Sequence, residues 1–154
     1  MKRKLLMLAV FTLAVSTIFS CSESVTELEE SYFSEAQKKT LSLLNGSFSY
    51  TLSIDTWSNT TTITFLEQYN PPKKGTLDDG TEISVHGKYR IIYDGGQTYE
   101  QYYNLSNSAD RLYSYFSLTG INSIEKKDFR IVDDNTFQIK ELNGMLWDTY
   151  NRTN

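Results

Sequence analysis

The sequence predicts an all-β fold, an eight-stranded antiparallel up-and-down barrel behind a short N-terminal helix, with a two-sheet β-sandwich as the alternative. Three observations carry this. From Gly46 onward the apolar residues recur at every second position rather than at helical spacing. Eight such runs follow one another, nearly all joined by short turns, with no internal repeat and no domain linker. Tyr (11) and Phe (8) are plentiful while Pro numbers only two, a composition that favours strands.

Residues 27–45 read as helical. Thr26 with Glu29, and Ser34 with Gln37, each fit a capping box, in which the hydroxyl and the residue three along satisfy each other's free amides. One long helix or two short ones would both fit. Leu41 and Leu44 are expected to face the core, and Asn45-Gly46 to close the helix as a left-handed cap.

The first strand is the clearest: Phe48, Tyr50, Leu52 and Ile54 alternate with Ser47, Ser49, Thr51 and Ser53. Residues 61–65 form the second, with Ile63 and Phe65 inward, and 69–84 read as a long connection holding Pro71-Pro72 and the turn Asp78-Asp79-Gly80. The third runs through Val85, Gly87, Tyr89, Ile91 and Tyr93, with His86, Lys88 and Arg90 on its polar face. Asp94-Gly95-Gly96 turns the chain into 98–105, and 111–118 follows. After a loop at 120–127, strands at 129–132 and 136–142 flank Asp133-Asp134-Asn135. Asn143-Gly144, which accepts the positive φ of a type I′ turn, leads into 145–152. The barrel domain thus spans 46–154.

The N-terminus sets the expected compartment. Lys2-Arg3-Lys4 precedes an uncharged run over residues 5–19, which is 15 residues against the roughly 20 a membrane helix needs. Residues 1–20 therefore read as a secretory leader. Ser20 before Cys21 resembles the lipobox of bacterial lipoproteins, which implies that the Cys21 thiol is acylated and becomes the first residue, with 21–26 as its tether. Ordinary secretion with cleavage after Ala14-Val15-Ser16 is the alternative, and would leave a lone thiol in an oxidising compartment. Ser22 follows the cysteine, and Glu23, Glu27, Glu29 and Glu30 come soon after. This resembles outer-membrane and surface-exported lipoproteins of Bacteroidota, so a cell-envelope protein tied to the membrane by lipid is expected. Removing 1–20, with three basic residues and no acidic one, takes the net charge from −4 to −7. That acidity argues against a nucleic-acid partner.

The barrel segment resembles the lipocalin-like lipoproteins of Bacteroidota. Leu44-Asn45-Gly46-Ser47-Phe48 sits where lipocalins enter their first strand, with Phe48 in place of their tryptophan. Gly87-Lys88-Tyr89, Phe129-Arg130-Ile131, Thr136-Phe137-Gln138-Ile139 and Tyr150-Asn151-Arg152 keep that family's rhythm. The resemblance implies that Arg152 covers Phe48 at the closed end and that the barrel holds a small ligand.

No catalytic motif stands out. His86, the only histidine, is expected at the surface, and with Cys21 acylated no cysteine remains to share a metal with it. Asp78, Asp79 and Glu82 lack EF-hand spacing, and turn chemistry accounts for them. Without a histidine partner no Ser or Thr reads as an activated nucleophile. The expectation is a non-enzymatic protein without cofactor or metal. The candidate binding residues are aromatic: Tyr89 and Tyr93 on the inward face, Tyr99, Trp57 in the first hairpin at the open end, and Tyr113 and Tyr115 pointing outward. The first group suits a small apolar or amphipathic ligand. The outward tyrosines, or the Trp57 loop, suit the alternative of a module binding an envelope protein or glycan.

Overall fold

A computed structural model describes residues 31–141 and 144–153. The leader, Cys21, the tether, the Thr26 capping box and Asn143 lie outside them. Helix α1 (Glu35–Leu43) is followed by β1 (Gly46–Ile54), β2 (Trp57–Thr76), β3 (Glu82–Tyr93), β4 (Thr98–Leu105), β5 (Arg111–Tyr115), β6 (Glu125–Asp133), β7 (Thr136–Glu141) and β8 (Asp148–Thr153). Each strand pairs antiparallel with the next, and β8 returns to β1 through Ser47↔Thr153, Phe48↔Arg152 and Ser49↔Asn151. The sheet is therefore a closed up-and-down barrel, and the sandwich alternative is excluded.

The helix closes one end. The Ser34 capping box forms in both directions, with Gln37 N–H donating to Ser34 Oγ at 3.1 Å and Ser34 N–H to Gln37 Oε1 at 2.8 Å. Nine residues make a marginal helix alone, so tertiary contacts hold it. Leu41 and Leu44 are buried in the same core as Phe48 and Phe65. Gln37 Nε2 donates to Leu105 O at 3.0 Å, and Gln68 Nε2 donates to Leu41 O at 2.6 Å and Leu44 O at 2.9 Å. The left-handed residue that turns the helix into β1 is Gly46, at φ 84°.

Arg152 completes this end. Its guanidinium lies 4.5 Å from the Phe48 ring centroid, the pairing expected from the sequence. It donates to Leu43 O at 2.9 Å, Asp134 O at 3.0 Å and Asn45 Oδ1 at 2.9 Å, and also to Asn45 O. The cation thus binds carbonyls at the helix C-terminus, where positive charge is favoured.

Above this plug the interior is filled with aromatic rings. Phe137 stacks on Tyr150 at 5.0 Å and meets Phe48 edge-on at 4.9 Å, while Phe65 contacts Tyr103 at 5.6 Å. The outer face of β1–β2 carries the polar half of the alternation as a hydroxyl ladder: Ser47–Thr64 and Ser49–Thr62 at 2.8 Å, Thr51–Thr60 at 3.0 Å.

Three expectations are corrected. The segment 69–84 is not a loop: β2 and β3 run on as a hairpin arm. Their pairing breaks between Gln68 and Lys73, where Pro71-Pro72 need no ladder donor, and resumes from Lys73↔Val85 to Thr76↔Glu82. The arm's tip joins the loop after β5, with Thr76 N–H donating to Leu118 O at 2.9 Å and Ile121 N–H to Thr76 O at 3.1 Å. Second, Tyr115 points outward but is only 3 % exposed. Residues of the arm and of that loop, Tyr69, Leu77, Ile83, Val85, Leu118 and Ile121, pack with Tyr102, Tyr113 and Tyr115 in a second apolar cluster. Third, His86 is not on the surface but 3 % exposed, its ring 5.1 Å from that of Phe33. β3–β4 pairing stops at Gly87↔Tyr103, and His86 Nδ1 accepts the next inward residue's amide, Leu105 N–H, at 3.2 Å. Strand bounds also shift: β2 begins at Trp57 and β6 at Glu125, earlier than expected, β5 stops at Tyr115, and β8 begins only at Asp148.

Candidate functional site

The end opposite the helix is open, and burial along the inward-facing column of β1 records it. Phe48 is 2 % exposed, Leu52 40 % and Ile54 56 %. β4 repeats the gradient from Tyr103, fully buried, to Tyr99 at 45 %. The strands outrun their filling: above Tyr89 and Tyr150 the inward side chains go from Ile91, still buried, to the exposed rings of Tyr93, Tyr99 and Phe116.

This upper layer borders an open cavity of about 640 Å³ between β3, β4, β5 and β6, lined among others by Ile91, Tyr93, Tyr99, Phe116, Glu125 and Lys127. A second space of about 170 Å³ reaches toward β1, β7 and β8, along Tyr50, Ile139, Glu141, Asp148 and Tyr150. Ile91, Tyr93 and Lys127 line both, so the two are neighbouring parts of one interior. Its floor is polar. The Tyr89 hydroxyl donates to Gln101 Oε1 at 2.5 Å and lies 2.7 Å from Ser114 Oγ. Burial pushes the Tyr89 hydroxyl pKa up, so the floor is a neutral hydrogen-bonded group.

The wall holds an ion cluster. Lys127 pairs across the β6–β7 ladder with Glu141 and, like its partner Leu112 on β5, faces inward. Its Nζ sits 3.2 Å from Glu125 Oε1 and 3.2 Å from Glu141 Oε1, with the lysine side chain only 14 % exposed. Burial alone would lower the Lys127 pKa, but the two carboxylates outweigh it and the pKa is raised, so the ammonium stays charged. Asp148 lies beside Tyr50 and Tyr150; burial first and the Asp148 charge second raise both phenol pKa values. The Tyr50 and Tyr150 rings are 5.6 Å apart and those of Tyr93 and Tyr99 6.0 Å.

Of the expected binding residues, Tyr89, Tyr93 and Tyr99 come together in this space: Tyr93 and Tyr99 line it, and Tyr89 forms its floor. Trp57 opens β2 at the same end, paired with Ile54 and 52 % exposed, on the rim rather than in the lining. Tyr113 and Tyr115 are on the opposite side of the wall and belong to the arm cluster. The sequence reading missed Glu125, Lys127, Glu141 and Asp148. Their signal was present, since Lys127, Glu141 and Asp148 continue the inward columns of Phe129, Ile139 and Tyr150 by one step, and Glu125 continues that of Phe129 by two.

Among the described residues no group of three or more His, Cys, Asp and Glu side chains is placed to hold a metal ion. Comparison with known proteins gives no match, whether to a family model, a curated protein or a solved structure.

Proposed function

We propose that the protein is a non-catalytic component of the cell envelope, anchored at the outer membrane by lipid on Cys21, whose barrel holds one small apolar or amphipathic molecule in its open half. The observation that carries the ligand reading is the uneven filling of the barrel. Eight strands leave an interior that side chains can fill or that one small ligand can occupy. Here rings fill the barrel at the helix end, with a groove of about 290 Å³ between the helix and β2, and the other end holds a cavity of about 640 Å³. That volume lies within the usual range of small-molecule sites, and its mixed apolar and polar lining is what an amphipathic guest needs. The resemblance to lipocalin-like lipoproteins supports the same reading.

The alternative of an interaction module loses part of its basis, because Tyr115 is covered by the arm and Tyr113 is half-buried. Native mass spectrometry of the barrel purified from its own cells tests the ligand reading: a small molecule of a few hundred daltons is expected to travel with it. A uniformly empty barrel that also fails to take up neutral apolar probes would overturn it. The anchor is tested separately, since Cys21→Ala is expected to abolish palmitate labelling, and retained label would refute that part.

A further inference from the structure

We propose that the open cavity selects an amphipathic cation, an amine or quaternary ammonium group carried on an apolar body, over an anion of the same size. This rests on the reading of the barrel as a ligand holder and specifies the chemistry of that site.

The charge balance of the wall points one way. Glu125, Glu141 and Asp148 supply three negative charges and Lys127 one positive, so the lining residues carry a net charge of −2. The single ammonium is already shared between Glu125 and Glu141, at 3.2 Å from each. Among the described residues Asp148 has no ion-pair partner. A carboxylate or phosphate guest would have to displace one of the glutamates from Lys127 and leave it unpaired in a half-enclosed space, where an uncompensated charge is costly. An ammonium guest instead completes the set, meeting the second charge on the Lys127 pair or Asp148, beside which stands the Tyr50 hydroxyl but no cation among the described residues.

The aromatic surfaces favour the same guest. Tyr50 and Tyr150 stand beside Asp148, and Tyr93 and Tyr99 stand on the opposite wall. A cation held against tyrosine faces gains from the ring quadrupole, and more so where water is partly excluded. The apolar body has its own place, because Ile91, Phe116 and Ile124 line the larger part of the space. The carboxylates do not converge as metal ligands do, so an organic cation fits the spacing better than a bare ion.

The test uses three probes of one chain length: octylamine, 1-octanol and octanoate, titrated into the folded barrel at pH 7 and followed by calorimetry. Octylamine is expected to bind about tenfold more tightly than octanol, octanoate more weakly than octanol, and added salt to narrow the spread. Asp148→Asn, and separately Glu141→Gln, should each lower the ratio of octylamine to octanol affinity, with circular dichroism confirming that both fold. If octanol binds but octylamine gains nothing over it, or octanoate binds as well as the amine, the cation proposal is wrong and the ligand-holder reading stands. If none of the three binds, both are wrong.

Discussion

Replacing Arg152 by Met should cost the barrel about 3 kcal/mol, and the structure sets that figure. The methionine keeps the apolar stem against Phe48 but removes the guanidinium 4.5 Å from its ring, worth about 0.5–1 kcal/mol at a partly exposed site. It also removes the donors to Asn45 O, Asn45 Oδ1, Leu43 O and Asp134 O. Water can reach most of those acceptors, so each bond is counted at about 0.5–1 kcal/mol rather than as a buried orphan. For a folded unit spanning Ser31–Asn154, 1 kcal/mol corresponds to about 4 °C in Tm. A loss of about 12 °C in a thermal scan by circular dichroism is therefore expected, with the urea midpoint lowered and the m value unchanged. Arg152→Lys should fall between, since one ammonium cannot span acceptors on both sides of the fork. A Met variant within about 3 °C of wild type, or a Lys variant equal to it, would show that the cation does not hold the helix to the ring.

Acid should act through His86. Burial lowers its pKa from 6.5 to about 4, so the unfolded chain takes up this proton first. The stability is whole above about pH 6.5 and falls as pH drops toward 4, by about 3 kcal/mol over that window. The stability gap between wild type and His86→Gln should shrink by that amount between pH 7 and pH 4; a gap independent of pH contradicts the assignment. Gly87→Ala should cost about 3 kcal/mol or prevent folding, because the new Cβ would lie 2.2 Å from Glu67 O and 2.6 Å from the Tyr103 ring. An alanine variant within about 0.5 kcal/mol of wild type would refute that packing. The Tyr103 hydroxyl is buried without a hydrogen-bond partner among the described residues, so Tyr103→Phe should raise stability by about 1 kcal/mol. A fall of similar size in urea titrations would mean that the hydroxyl is satisfied.

The ring of eight strands was legible because period-two alternation and turn residues are local signals, and a meander uses little else. Asp133 Oδ1 accepting from Asn135 N–H at 2.8 Å and Ser34 capping Gln37 are of that kind. The failures share a different cause. Pro71-Pro72 and Asp78-Asp79-Gly80 look like a loop, but a strand can pass through an unpaired stretch and resume beyond it. His86 lies on the face that alternation assigns to water, and only tertiary packing by Phe33 takes the water away. Tyr115 is buried for the same kind of reason, by a segment some forty positions earlier in the chain. Glu125 and Lys127 read as loop because charges break an apolar run, yet at the mouth of the barrel they continue the inward column and line the cavity.

The helix plug has a kinetic consequence. If the barrel holds a ligand as proposed, a helix across its base leaves the open end as the passage for both loading and release, rather than a stream from one side to the other. Cargo exchange would then depend on how readily the doorway lets a molecule turn back. Side chains at the lip, such as Trp57 and Phe116, would set dwell time more than affinity for the floor.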